Sequence, residues 1–134
     1  MTIALDTNVL VRYLTWDDAA QAALAAEVIE GGGTLAISTV VLCELAWVLK
    51  RAYRYRPEEI AAAIDRVVSS RNVQVDRAAA ESGLRMLAHG GDFADGVIWT
   101  DAARARCRHI VTLDRDFARL LDPNHVVLLG TGVG

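Results

Sequence analysis

Apolar positions along the chain fall into short runs that alternate with longer stripes of helical spacing. Residues 2–5 form a short apolar run ending at Asp6, and a helix is predicted from about 8 to 14. Asp17 and Asp18 open a second helix that runs to Glu30, where Gly31, Gly32 and Gly33 stop it. Residues 35–38 read as a second strand. Residues 39–53 form a helix that is apolar nearly all round, which predicts a central position. Pro57 suits the first turn of the next helix, with Glu58 and Glu59 favourable at its N-terminus. Its apolar stripe is Ile60, Ile64, Val67 and Val68. Residues 73–75 form a third strand, and Asp76 caps a helix with the stripe Ala80, Gly83, Leu84, Leu87 and Ala88. Gly90 and Gly91 end it, and Asp92 starts a helix to about 106. A strand at 109–113, a short helix at 115–121 and a strand at 126–129 follow.

This alternation predicts a single α/β domain over residues 1–130: a short central parallel sheet of about five strands, flanked by helices on both faces. The strands lack strict alternation, as expected where both faces are covered. Residues 131–134 are expected to fray. The chain has no internal repeat, linker or low-complexity segment.

Composition narrows the classes. A chain of 134 residues, 53% hydrophobic, suits one packed domain. A net charge of −3 argues against holding nucleic acid by bulk charge, yet leaves room for a local basic patch. Thirteen of the fourteen cations are Arg, and Lys50 is the one Lys. Cys43 and Cys107 each fall in an apolar helical pattern and read as reduced core thiols of a cytoplasmic protein. No basic stretch followed by an apolar run opens the chain, so no signal peptide is expected. The longest apolar run, 40–49, is interrupted by Glu44 and falls short of the ~20 residues of a membrane span.

Four acids carry the candidate chemistry. In open α/β sheets, sites form beyond the carboxyl ends of the strands. Asp6 follows the first strand directly, Asp114 follows the strand at 109–113, and Asp95 lies in the first turn of a helix. Glu44 is the anomaly. Its neighbours on the helix are apolar, and no Lys or Arg lies three or four residues away. An ionised Glu there either faces a solvent rim or meets a cation. Each Asp also has a plain reading as a helix cap or first-turn anion, including Asp92 and Asp116. Converging carboxylates repel one another, and a hard divalent cation such as Mg²⁺ or Mn²⁺ removes that conflict. His89, His109 and His125 are isolated, which disfavours zinc.

The motifs Leu5-Asp6-Thr7-Asn8-Val9-Leu10, Ser38-Thr39-Val40-Val41-Leu42-Cys43-Glu44-Leu45, Asp92-Phe93-Ala94-Asp95 and Val111-Thr112-Leu113-Asp114-Arg115-Asp116-Phe117 occur in this order. In order, spacing and total length the sequence resembles the PIN-domain ribonucleases, in particular VapC-type toxins of type II toxin–antitoxin systems. The resemblance implies that Asp6, Glu44, Asp95 and Asp114 are the catalytic, metal-holding quartet. Asn8 and Ser38 would orient them, Asp116 would assist at the metal rim, and Asp92 would order the loop. It implies Mg²⁺- or Mn²⁺-dependent endoribonuclease activity leaving 5′-phosphate and 3′-hydroxyl ends. It further implies a cognate antitoxin partner that covers the catalytic rim, and a homodimer. Gly96 departs from the family pattern, where Ala is common, and is expected to loosen the helix start.

For RNA, the basic and aromatic run from Lys50 through Arg51, Tyr53, Arg54, Tyr55 and Arg56 offers phosphate contacts and stacking; equally, cations suit a helix C-terminus. Arg12 and Arg115 lie close in sequence to candidate acids. The strip Arg104, Arg106 and Arg108 is read as answering a helix dipole. Trp16, Trp47 and Trp99 are expected in the core, although they would suit a partner surface. Two other classes remain: a receiver-like signalling domain, which would need an acidic pair after the first strand and a late Lys, and a non-catalytic PIN-like binding domain. Asn8 occupies the second acidic position of an Asp-x-Asp phosphatase motif, and Gly31–Gly33 lacks the Gly-Lys-Ser/Thr of a P-loop.

Overall fold

A computed structural model describes residues 1–130, so the expected fraying of 131–134 lies outside the described residues. The elements follow the predicted order: β1 (Thr2–Ala4), α1 (Thr7–Thr15), α2 (Ala19–Ile29), β2 (Thr34–Ala36), α3 (Thr39–Arg51), α4 (Pro57–Val68), β3 (Val73–Gln74), α5 (Arg77–Ala88), α6 (Phe93–Arg104), β4 (Ile110–Thr112), α7 (Arg115–Leu120), a 3₁₀ turn (Pro123–His125) and β5 (Val126–Leu128). Helix starts are set by local caps. Asp18 accepts from the Gln21 amide at 3.1 Å, and Asp76 from the Ala79 amide at 3.2 Å. Pro57 opens α4 at its first turn. Gly90, at φ +91°, follows α5 in a conformation that a side chain would strain.

The predicted stripe of α4 is buried, with Ile60, Ile64, Val67 and Val68 in the core. α3 contributes Leu42, Leu45, Ala46 and Leu49, but it is not enclosed all round. Val40 and Trp47 are 67% and 62% exposed, and Glu44 faces solvent between them. The expected burial of tryptophan is likewise corrected for Trp16, which is 51% exposed at the C-cap of α1. Cys43 is half-buried in α3, whereas Cys107 lies beyond the end of α6 and is exposed rather than a core thiol.

The fold is α/β with five parallel strands, but they form two sheets instead of one. β1, β2 and β3 pair in that order, with Ala4 opposite Ala36 and Leu35 opposite Val73. β4 pairs with β5, with Ile110 opposite Val126. Three-residue strands gain few hydrogen bonds from a further neighbour, so side-chain packing decides where β4 and β5 sit. Phe117 and Leu121 are buried, Leu120 packs against Gly91, and Trp99 meets His125 edge-on at 6.2 Å. These contacts fasten the second sheet to α5 and α6 and leave both faces of β1 exposed.

α5 and α6 approach closely enough that backbone lies against backbone. A Cβ on Gly96 would run into the Ser82 carbonyl, and one on Gly83 would meet the Phe93 ring. The buried Ser82 hydroxyl donates to the Gly96 carbonyl at 2.7 Å. Gly96 therefore tightens this helix start, contrary to the loosening expected from sequence. At the far ends of the pair, Arg104 grips Asp76 through two bonds of 2.5 and 2.7 Å. Arg104 is thus committed within the fold and does not simply answer its own helix dipole.

Two outcomes follow from this helix pair. Gly96→Ala is expected to destabilise by roughly 1–2 kcal/mol in urea denaturation, because overpacking outweighs a helix-propensity gain of about 1 kcal/mol. An unchanged or raised midpoint would contradict the close approach. Arg104 and its hydrogen bond, helped by the Ala79 amide, hold Asp76 at a pKa of about 2. A depressed carboxylate stabilises above its unfolded pKa and loses that contribution as pH falls through its folded one. Arg104→Gln should therefore lower Tm at pH 7, with the gap from wild type closing as pH falls from about 4 to about 2. A gap constant across that window would count against the pair.

Candidate active site

The eight orienting and ligating residues proposed from sequence are carried by two parts of the fold. The first lies at the carboxyl ends of β1 and β2. These strands are paired, and the Leu5 amide donates to the Ala36 carbonyl at 3.1 Å, so Asp6 and Ser38 emerge side by side. Asp6 accepts from the Thr7 amide at 2.7 Å as the N-cap of α1, and Ser38 accepts from the Val41 amide at 3.2 Å as the N-cap of α3. Both side chains are exposed, as is Asn8 in the first turn of α1. The Thr7 hydroxyl beside them is buried without a hydrogen-bond partner among the described residues. Glu44 lies further along α3, exposed and with no ion pair or hydrogen bond among the described residues. Its anomaly in sequence is resolved by the solvent rim.

The second lies at the start of α6. The Asp92 amide donates to the Asp95 carboxylate at 3.2 Å, and Lys50 from α3 holds Asp92 at 2.7 Å. Asp95 is half-buried, and burial is the main reason its pKa is raised. The negative charges of Asp92 and Asp114 add to the rise, while the Asp92 amide and Lys50 oppose it. Asp114, after β4, is exposed and caps α7: its Oδ1 accepts from the Asp116 and Phe117 amides at 2.9 and 3.1 Å. Asp116 pairs with Arg119 at 2.6 Å.

Asp95 and Asp114 are thus within electrostatic reach of each other. Among the described residues, however, no three Asp, Glu, His or Cys side chains stand close enough to hold one ion. Asp95 lines one cavity with Cys43, Ala46 and Trp47 of α3, which flank Glu44 along the helix. The donor set still fits a hard divalent ion. It consists of carboxylates alone, and Asp95 carries burial and like-charge costs that a cation would relieve.

The proposed RNA contacts also divide. Arg12 is committed to Asp17 at 3.1 Å and to Gln21 at 2.7 Å, and Arg56 to Glu58 and Glu59 at 3.4 and 3.2 Å. Arg51, Arg54 and Arg115 are exposed without such partners among the described residues. Tyr53 donates its hydroxyl to Asp17 and meets Tyr55 edge-on at 6.4 Å, and both rings lean on the core, so they are not free stacking surfaces. Trp47, expected in the core, is instead exposed. The available signal was its position three residues after Glu44, which places it on the same outward side of α3.

The family model for the PIN domain matches residues 3–121. One chain in the crystal structure of VapBC2 from Rickettsia felis bound to a DNA fragment from their promoter is similar over 94% of this chain and 96% of its own, at 20% identity and a TM-score of 0.38. No curated protein matches. The matched span takes in Asp6, Glu44, Asp95 and Asp114, and the chain belongs to the PIN domain family.

Proposed function

We propose that this PIN domain is a Mg²⁺- or Mn²⁺-dependent endoribonuclease, hydrolysing RNA to 5′-phosphate and 3′-hydroxyl ends. The observation that carries the reading is Asp95, a half-buried carboxylate held against Asp92 and within reach of Asp114. Asp95 and Asp114 would hold the cation, with Asp6 and Glu44 completing the set. When bound, such an ion supplies charge neutralisation and an activated water. Asn8 and Ser38 sit beside Asp6 to orient its rim, Asp92 orders the start of α6, and Asp116 is adjacent to Asp114. Arg51, Arg54 and Arg115 are available to phosphate as they stand, whereas Arg12 and Arg56 must first exchange their carboxylate partners.

The chain's role as a VapC-type toxin, cytoplasmic, homodimeric and silenced by an antitoxin, rests on its sequence motifs. A groove between α1 and α2, with Leu24 and Val28 exposed and Asn8 at its edge, supports a protein partner close to Asp6. No helix among the described residues is long and apolar enough to cross a membrane. One observation favours a second reading, a non-catalytic PIN-like or receiver-like binding domain: no three acids form a ligating group among the described residues.

Incubation with total RNA and Mg²⁺ or Mn²⁺, followed by mapping of new 5′ ends, separates the two. Discrete cleavage that stops in excess EDTA is expected, and Asp6→Asn or Asp95→Asn should reduce it by at least about 100-fold. A raised carboxylate pKa contributes stability that is lost as pH rises through it, so Asp95→Asn should not lower Tm at pH 7. Cutting that persists in EDTA would defeat the metal mechanism, and absence of cutting with either ion would favour the binding domain.

A further inference from the structure

The three tryptophans differ in what the fold asks of them. Trp16 forms the left-handed C-cap of α1 at φ 54°, and Trp99 packs on His125 between the second sheet and the helices. Trp47 has no comparable task. Among the described residues its indole makes no ring contact and no hydrogen bond, and it stands in solvent on α3. An exposed, unpartnered indole forfeits the burial that usually justifies so large a ring.

Its surroundings suit a ligand with one flat face and one negative charge. Trp47 lines an open cavity of about 190 Å³ together with Lys50, Arg51, Asp92 and Asp95. On α3, Glu44 lies one turn before Trp47, and Lys50 and Arg51 lie one turn after it. Lys50 is neutralised by Asp92 at 2.7 Å, whereas Arg51 has no ion pair among the described residues. A planar apolar platform with a guanidinium beside it is the pattern that stacking proteins present to unpaired bases, and candidate catalytic Asp95 lines the same cavity.

We infer that Trp47 is a stacking platform for one unpaired nucleobase of the RNA, with Arg51 on the adjoining phosphate, setting a preference for single-stranded over duplex substrate. The inference rests on the ribonuclease reading but can fail apart from it. Trp47 is a positioning residue: it holds the strand and takes no part in the chemistry.

Two measurements test it. In steady-state cleavage of a single-stranded RNA, Trp47→Ala should raise KM about tenfold with kcat within twofold, and Trp47→Phe should recover most of the loss. The second uses a chain whose one tryptophan is Trp47 (Trp16→Phe and Trp99→Phe), carrying Asp6→Asn to prevent cutting, with Mg²⁺ present. Its fluorescence should be quenched saturably by a single-stranded RNA oligonucleotide and not by a duplex of the same sequence. Saturable quenching of this variant, with no cleavage by the unmodified chain, would sustain the platform and sink the nuclease reading. Cleavage with an unchanged KM in Trp47→Ala, together with no quenching, would overturn the platform and leave the nuclease standing. If Trp47→Ala instead converts a dimer to a monomer in sedimentation without altering KM, the face belongs to a second copy of the chain, and the inference is wrong.

Discussion

Backbone contact between α5 and α6 is the constraint on which the rest of the molecule depends. Gly83 leaves room for the buried Phe93 ring, Gly96 lets its own helix lie against the Ser82 carbonyl, and the Ser82 hydroxyl closes the contact. Phe93 immediately follows Asp92, so its burial fixes the start of α6 and with it Asp95. The same pair forms the bed for the second sheet, through Leu120 against Gly91 and Trp99 against His125. That bed carries Asp114 to where it can act on Asp95. A polar site is thus positioned by an apolar contact that none of its acids makes.

α3 then distributes the charge. Its buried side carries Leu42, Leu45 and Leu49, and its outward side carries Glu44 and Trp47. Its first turn touches the rim that bears Asp6 and Ser38, and its last turn reaches Asp92 through Lys50. Like charges brought together carry a cost that a counter-ion relieves. Asp95 already bears part of that cost through burial, which is why the proposed ion is placed on it.

What could be read from sequence was local. Caps depend on one side chain and amides two or three residues away, so the starts at Asp18, Asp76 and Asp114 were legible, as was the stripe of α4. The division of the sheet was not, because it turns on long-range packing of Leu120 and Trp99 that strand patterns do not encode. The ligation of Arg12 was equally hidden: Asp17 is near in sequence, but the Tyr53 hydroxyl reaches it from 41 residues away. Gly96 was legible as an oddity, yet its effect was misjudged, since its reason is Ser82 on another helix. The acids could be proposed from sequence by type and order, whereas the contacts of Asp95 with the Asp92 amide and of Asp92 with Lys50 required coordinates.

The central claim is that Asp6, Glu44, Asp95 and Asp114 serve one doubly charged ion. Calorimetric titration of Mn²⁺ into the folded protein, repeated with Asn or Gln at each of the four positions, tests it most directly. The account predicts saturable binding that every one of the four changes weakens. Binding that survives replacement of Asp6 or Glu44 at full strength would contradict it, because the ion would then belong to the α6 cluster alone.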